Sequence, residues 1–450
     1  MFNISINGYA SDIIRRGLSL EKSYWEIIKN VFSSKNILAI AITTSMITLC
    51  DMGWRPFWSL YLTKELGANV WAVGVLSMIQ SSERLLFQLP GGLIADRFGR
   101  RKIIVYGTAL RILTPILYLM AKTWVQVIPA LLVNGVTSIY MPAFNAIIAD
   151  SLPEEERGAG YGAYRMITSS PQIFSPVIGG ILMDRYGYLE GVRIFLFISI
   201  FVNLIVTIVR WRVISETLTD DDINRAKQSG GEKIGLTGQV KEKLDLPRTI
   251  WIMVAVAILG SVGQRMVMDF LPLYAVDHVG ITNTQLGLVR TVGGIITVAL
   301  AMPGGMLSDR FGRKPVILLS RIVTPVSQFV VTFARNFPQY ILIQGTRSLA
   351  DALGGGGRGG GGGGVGGPAW QALIADIVPR EKRATTMGTI GTMTGIVSAP
   401  ATMLASYLWS SISPATTFHV AAVFGLMSSI IFAFGVKEKR NKPEPEISPE

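Results

Sequence analysis

The sequence predicts an all-α membrane protein with twelve transmembrane helices in two six-helix bundles that are related by pseudo-symmetry. Three observations carry this prediction. Apolar segments near the roughly 20 residues that cross a bilayer recur twelve times along the chain. Charged residues make up only 16% of the 450 residues, whereas soluble domains carry about a quarter. A motif rich in glycine and arginine also occurs twice, at matching places in the two halves.

The two halves are copies of one unit. Residues 91–102, GGLIADRFGRRK, recur 213 positions later as GGMLSDRFGRKP. RILTP at 111–115 recurs 210 positions later as RIVTP, and PAFNAIIADSLPEEER at 142–157 recurs 226 positions later as PAWQALIADIVPREKR. Because self-similarity of this length marks a repeated structural unit, we interpret the chain as a duplicated half. The apolar segments are too long for the alternating strands of a barrel, which favours helices.

The sequence divides into five segments. Residues 1–36 are a predicted cytoplasmic segment, and within it residues 11–32 place apolar and basic side chains at helical spacing, which favours an amphipathic helix on the inner membrane surface over a disordered tail. Residues 37–212 are the first predicted six-helix bundle, 213–248 a polar cytoplasmic linker, and 249–436 the second bundle. Residues 437–450 are rich in proline and glutamate and are predicted to be a disordered cytoplasmic tail.

A run of glycines interrupts the tenth predicted helix. Residues 354–367 read GGGGRGGGGGGVGG. Each glycine costs a helix about 1 kcal/mol relative to alanine, so we expect this run to break or weaken the helix. A hinge or gate is one interpretation. A low-complexity expansion, tolerated because the cavity there is wet, is the other, and we favour the second.

The net charge of +12 follows a topological pattern. If the N-terminus is cytoplasmic, basic residues collect in the inner segments, and the outer loops hold only Lys64, Lys122, Arg185, Arg193 and Arg335. This asymmetry is the positive-inside rule. It predicts a multi-pass protein of the plasma (inner) membrane with both termini in the cytoplasm, and it gives no reason to expect nucleic acid as a partner.

The doubled motif, the twelve spans, the six-plus-six duplication and the central linker together resemble the major facilitator superfamily. The pattern G-x-L-x-D-R-x-G-R-[RK] after the second helix is a specific mark of that resemblance. The resemblance implies a secondary transporter that moves a small solute by alternating access. It also implies a cytoplasmic gate in which the motif engages the end of the fourth helix; topogenic charge alone is the alternative. The gate residues here are Gly91, Asp96, Arg97, Gly99, Arg100, Asp150 and Arg157, repeated as Gly304, Asp309, Arg310, Gly312, Arg313, Asp376 and Arg383.

The resemblance further implies that helices one, four, seven and ten line a central cavity. Charges there are informative, because an ion in hydrocarbon costs several kcal/mol unless it is paired or hydrated. Three acid–base pairs have the i, i+4 spacing that permits an ion pair within one helix: Asp51 with Arg55, Arg265 with Asp269, and Arg347 with Asp351. Structural pairing between helices is the alternative to a functional role for each. The candidate substrate and proton residues are Asp51, Trp54, Arg55, Glu83, Arg84, Asn134, Gln264, Arg265, Asp269, Gln344, Arg347 and Asp351.

Within this set, Asp51 and Asp269 are the preferred proton carriers, and Arg265 and Arg347 the preferred contacts for an anionic solute. Arg111 and Arg321 recur in the internal repeat and lie off the cavity helices, so we assign them to structure.

We expect a proton-coupled carrier, with efflux of a drug or metabolite by antiport as the first interpretation. Uptake of a sugar or organic anion by symport is the alternative, and a non-transporting receptor of the same fold is the alternative from another class. The fifth helix retains only P-x-x-G-G, residues 176–180, of the glycine-rich pattern common in drug–proton antiporters, so efflux stays open.

No phosphate-binding loop, nucleophile elbow or metal-ligand cluster occurs in the sequence. We therefore predict neither a primary pump nor an enzyme, and no cofactor or metal. The expected partners are the lipid bilayer, a small-molecule substrate and protons, and we expect the protein to act as a monomer.

Overall fold

We describe the fold from a computed structural model. It describes residues 29, 32–152, 163–164, 166–219, 221, 248–353, 370, 373–374 and 383–436. Within these ranges, the side chains of residues 84–85, 88–93, 96, 248, 301–302, 304–306, 308–310 and 383–389 lie outside the described part. Most of the predicted amphipathic helix, the glycine run, most of the linker and the tail also lie outside the described part. The segment boundaries drawn from the sequence stay predictions.

The predicted all-α architecture is confirmed, and the described ranges contain no strand. The first half contains α1 Lys35–Trp54, α2 Trp58–Lys64, α3 Val70–Phe98, α4 Arg100–Arg111, α5 Leu113–Met120, α6 Ile128–Thr137, α7 Tyr140–Ser151 and α8 Pro171–Val213. The second half contains α9 Arg248–Met268, α10 Leu271–Asp277, α11 Asn283–Phe311, α12 Arg313–Val330, α13 Phe337–Leu353, α14 Arg383–Ser398, α15 Ala401–Ser411 and α16 Pro414–Gly435. Short 3₁₀ turns at Arg55–Phe57, Trp124–Val127 and Val331–Phe333 join or extend neighbouring helices.

Helix lengths explain how these elements cross a bilayer. Seven described stretches are long and apolar enough to span a membrane, among them Met166–Val213. At a rise of 1.5 Å per residue, the 43 residues of α8 would measure about 65 Å, roughly twice the apolar thickness of a bilayer. Gly187 has φ 78° and breaks α8, which therefore supplies two spans. Helices α3 and α11, at 29 residues each, also have the length to cross.

The two halves of the molecule contact each other mainly through α8 against α11 and α3 against α15. We call the side where α1 begins and α16 ends the near side, and the side with the loops after Lys64 and Asp277 the far side. The hydrogen bonds and ion pairs described between the halves lie from the far side to the middle of the molecule. They include the ion pair between Lys64 and Asp277 and the bond from Thr402 to the Gly74 carbonyl.

Glycines allow helices of the two halves to pack at backbone distance. A Cβ atom on Gly287 would meet the carbonyl of Pro176, and one on Gly180 would meet the carbonyl of Asn283. Gly180 belongs to the P-x-x-G-G remnant of the sequence. That remnant therefore serves packing between the halves here, as small residues do at helix interfaces in membranes.

Candidate functional site

The first charged pair of the cavity crosses between helices. An Nη2 of Arg111 on α4 donates to Oδ2 of Asp51 on α1 at 2.5 Å. The expectation that Asp51 pairs with Arg55 in its own helix is therefore corrected. The reason is local: α1 ends at Trp54 and the chain passes into the 3₁₀ turn Arg55–Phe57, which leaves Arg55 exposed. The contact agrees with the assignment of Arg111 to a structural role.

Glu83 is the most enclosed carboxylate among the predicted site residues with described side chains. It is 3% exposed, and its Oε1 accepts a hydrogen bond from Nδ2 of Asn134 at 3.3 Å. Its Oε2 is buried without a hydrogen-bond partner in the described part of the chain. Gly135 makes room for this side chain, because a Cβ there would lie 2.7 Å from Cβ of Glu83. Arg55 acts on the carboxylate electrostatically without forming an ion pair with it in the structure.

Three aromatic rings of the first half pack against one another. The rings of Trp54, Trp58 and Tyr118 lie edge to face, with centroids 5.4–5.5 Å apart. The indole N–H of Trp54 is buried and has no described acceptor. Tyr118 lies within electrostatic range of Glu83. An apolar wall with an uncommitted donor thus lies within electrostatic range of the carboxylate through Tyr118, an arrangement suited to an amphipathic solute.

In the second half, Arg347 forms the centre of a polar network. Its Nη2 donates to Oε1 of Gln264 on α9 at 2.8 Å, and its Nε lies 3.8 Å from Oδ2 of Asp351, one turn along α13. The other oxygen of Asp351 accepts hydrogen bonds from Thr324 at 2.8 Å and Ser320 at 3.2 Å, both on α12. The i, i+4 spacing of Arg347 and Asp351 therefore does bring their charges together, while ties to two other helices fix the pair.

Arg265 and Asp269 behave differently from their sequence expectation. Both residues are described, and no ion pair joins them. Helix α9 ends at Met268, so Asp269 follows the helix rather than standing one turn above Arg265 on its surface. Asp269 instead acts electrostatically on Arg290 of α11. Arg290 lines a small pocket, with room for about one water molecule, together with Leu271, Val289, Tyr340, Gln344 and Ser348.

The gate motif is described mainly in the first half. Arg100, at the start of α4, forms an ion pair with Asp150 at the end of α7 and donates to Oγ1 of Thr217 at 3.2 Å. Glu216 accepts the backbone N–H groups of Arg100 and Arg101 at 3.3 and 2.9 Å, and so caps α4. The role of Glu216 was not predictable from the sequence, because this residue lies in the linker region and outside the repeated motif.

The backbone conformation explains why glycine occupies two positions of the repeated motif. Gly99 has φ 91° and ψ 134°, and Gly312 has φ 96° and ψ 152°. Side chains other than hydrogen are strongly disfavoured in this region. The two copies therefore turn the chain between successive helices in the same way.

Of the remaining predicted gate and site residues, two are described and the others, or their side chains, lie outside the described part of the chain. Arg97 and Arg313 are described and have partners. Arg157 and Asp376 lie outside the described residues, as do the side chains of Arg84, Gly91, Asp96, Gly304, Asp309, Arg310 and Arg383.

Two deeply placed arginines lack an ion-pair partner in the described part of the chain. Arg210 is 1% exposed; it donates to Thr43 at 3.1 Å and Thr108 at 2.9 Å and lies 5.1 Å from the ring centroid of Phe144. Arg321 lies 4.4 Å from the ring centroid of Trp370 and donates to Ser428 at 3.0 Å.

The internal repeat offered a signal for this arrangement. Phe144 and Trp370 occupy equivalent positions, 226 residues apart. Each holds a guanidinium over its ring, although the arginine comes from α8 in one half and from α12 in the other.

Comparison with known proteins gives a consistent result. A family model described as the Major Facilitator Superfamily matches residues 40–282 and 254–449. The chain is 22% identical over 410 residues to an uncharacterized MFS-type transporter of Methanocaldococcus jannaschii, covering 89% of this chain and 95% of that protein. It is 23% identical over 417 residues to a Na(+), Li(+), K(+)/H(+) antiporter of Planococcus maritimus, covering 86% and 92%.

The multidrug resistance protein MdtG of Salmonella typhi is 25% identical over 305 residues, with 66% of this chain and 72% of that protein covered. Among solved structures, the nucleoside transporter NupG superposes with a TM-score of 0.67 at 14% identity, covering 89% of this chain and 100% of that one. A peptide transporter POT superposes with a TM-score of 0.65 at 15% identity, covering 89% and 94%.

Proposed function

We propose, from the premise that this chain belongs to the Major Facilitator Superfamily, that it is a proton-coupled secondary transporter moving a small solute by alternating access. The membership makes it a multi-pass membrane transporter. The solute, the coupling ion, the direction and the membrane are the parts that we propose.

Proton coupling is supported by the burial of Glu83 with an incompletely paired carboxylate. An ionised carboxylate at membrane depth is costly unless it is paired, and Glu83 has one amide donor and an oxygen without a described partner. Protonation would remove this cost, and exposure of the site to water would restore the charge. Glu83 is therefore our first proton carrier. Asp269 stays a candidate, while the close pairing of Asp51 with Arg111 favours a structural role for Asp51.

Efflux of an amphipathic compound is our first proposal for direction. It is supported by the aromatic wall of Trp54, Trp58 and Tyr118, which lies within electrostatic range of Glu83 through Tyr118, and by relatives named as an antiporter and as a multidrug resistance protein. Uptake of an organic anion is the second candidate. It is favoured by Arg290, which lines the small pocket in the second half and lies within electrostatic range of a second cation, Arg347. Binding without transport is the third.

We propose that the near side is cytoplasmic and that the membrane is the plasma (inner) membrane. Basic residues that follow α3 and α11 on the near side support this orientation through the positive-inside rule. We also propose that Arg100 and Asp150, with Asp96 and Arg157, act as the cytoplasmic gate, and that the second copy of the motif does the same. Labelling of single cysteines at Lys122→Cys and Lys102→Cys in intact cells tests the orientation, because only the first should react with an impermeant reagent.

Oriented vesicles test the function. Solute accumulation in inverted vesicles would support efflux, accumulation in right-side-out vesicles would support uptake, and both should collapse with an uncoupler. Accumulation that persists unchanged with the uncoupler would contradict proton coupling. Solute binding without accumulation in either orientation would support a receptor. Glu83→Gln should abolish accumulation, while Glu190→Gln, at an exposed acid paired with Arg193, serves as the matched control.

A further inference from the structure

The far side of the molecule contains a carboxylate that caps a helix of the opposite half. Oδ1 of Asp184, on α8, accepts the backbone N–H of Asn283 at 3.0 Å and its Nδ2 at 2.9 Å. Oδ2 of Asp184 accepts the backbone N–H of Thr284 at 2.8 Å. The hydroxyl of Tyr188 donates to Oδ1 of Asn283 at 2.8 Å. We call Asp184, Tyr188, Asn283 and Thr284 the far-side clasp.

The clasp connects the two halves and is not needed to start helix α11. Helix α11 already has a complete capping box, in which Thr282 accepts from the N–H of Gln285 and the Gln285 side chain accepts from the N–H of Thr282. Its first turn is thus closed by its own residues. Asp184 adds a charge from the other half to N–H groups that a helix start leaves free, where the helix dipole also favours an anion.

Further contacts around the clasp hold the two halves together on the far side. Gly180 and Gly287 bring α8 and α11 together at backbone distance just below the clasp, and Oγ1 of Thr291 donates to the carbonyl of Ile173 at 2.5 Å further in. The ion pair between Lys64 and Asp277 also joins the halves on the far side, at 2.7 Å. Asp184 is exposed as well, but it accepts three hydrogen bonds at the start of one helix. Lys64 and Asp277 share a single contact between side chains that are 44% and 32% exposed, and an exposed pair of this kind contributes little.

We infer that Asp184 is the positioning residue of a far-side gate, and that its bonds to Asn283 and Thr284 must break each time the far side opens. The inference rests on the proposed alternating access, since only a protein whose halves separate on this side needs such a contact to be reversible. Hydrogen bonds to a charged group that form only in the closed state would shift the closed-to-open ratio, and because water competes for the exposed Asp184 we take the lower end, roughly tenfold. The clasp would therefore set the resting conformation of the carrier.

The test measures the distance across the far side without any solute. Spin labels at Lys122→Cys and Arg335→Cys, two exposed loop positions of opposite halves outside the clasp, report its opening in lipid nanodiscs. Cys50 is the chain's single cysteine and is buried, and Cys50→Ala removes it. Asp184→Asn and Asp184→Ala should add a longer distance and raise the open population roughly tenfold. Asp184→Glu should restore part of the closed population.

Controls separate gating from simple loss of structure. Asp277→Asn removes a different far-side carboxylate between the halves and should leave the distances nearly unchanged. If Asp184→Ala does not fold, Tyr188→Phe removes the second link and should shift the distances in the same direction by less. Unchanged distances in Asp184→Asn and Tyr188→Phe, or an equal shift in Asp277→Asn, would overturn the inference. Because no solute is needed, a shifted distance in a protein that transports nothing would reject the proposed function and keep the clasp.

Discussion

Replacing Asp51 by asparagine should destabilise the first half of the molecule, because Arg111 would keep its charge and lose its carboxylate. The two side chains are 22% and 18% exposed, so water compensates only a small part of the loss. Removing one partner of a buried pair costs about 3–5 kcal/mol. Because about a fifth of each side chain stays exposed, we take the lower end, about 3 kcal/mol, which corresponds to roughly a 150-fold change in the folded-to-unfolded ratio.

The assay is unfolding of the purified protein in detergent, followed by tryptophan fluorescence. Arg55→Gln is the matched control, since Arg55 is exposed and forms no ion pair with Asp51. The double variant Asp51→Asn with Arg111→Gln should recover part of the loss, because no unpaired charge remains buried. An Asp51→Asn protein that unfolds like the parent but no longer moves protons would refute this reasoning and return Asp51 to the role of proton carrier.

Three further predictions concern packing and backbone. Gly99→Ala and Gly312→Ala should each lower the free energy of unfolding by about 1–3 kcal/mol, because both positions have positive φ. Gly345→Ala is the control: it lies inside α13 with open space for a Cβ and should be neutral or stabilising. Equilibrium unfolding compares the three variants. Trp370→Leu should lower the free energy of unfolding by about 2 kcal/mol or more, because the ring under the Arg321 guanidinium is lost. Trp370→Phe keeps a ring and should lower it by less. Equal losses of stability in a thermal melt would contradict a role for the ring contact. Gly287→Ala should force α8 and α11 apart on the far side and lengthen the spin-label distance between the loops, and an unchanged distance would show that the interface yields elsewhere.

The fold was predictable because its signals are long and repeated. Apolar segments of bilayer length and a duplicated motif specify a helical bundle of two halves without any knowledge of which helix faces which. The i, i+4 spacing of Arg347 and Asp351 placed these charges together because both lie within the continuous helix α13. The same spacing misled at Asp51 and at Arg265, because α1 passes into a 3₁₀ turn after Trp54 and α9 ends at Met268.

Contacts between helices were the harder part. The partner of Asp51 lies 60 residues along the chain on α4, and the groups that Asp184 caps lie about 100 residues along in the other half. Such pairs depend on how helices rotate and cross, which sequence periodicity does not encode. The isolated position of Glu83 likewise follows from the packing of Gly135 against it, a contact that helix spacing alone cannot predict.

We propose that this carrier couples solute movement to protons through Glu83. The most direct measurement is solute-driven proton movement in proteoliposomes, followed by an internal pH dye while a mixed solute library is screened, with Glu83→Gln and Glu190→Gln proteins in parallel. We expect a pH change with the parent and with Glu190→Gln, and none with Glu83→Gln. A solute that is transported equally well by the parent and by Glu83→Gln, with the same pH change, would contradict it.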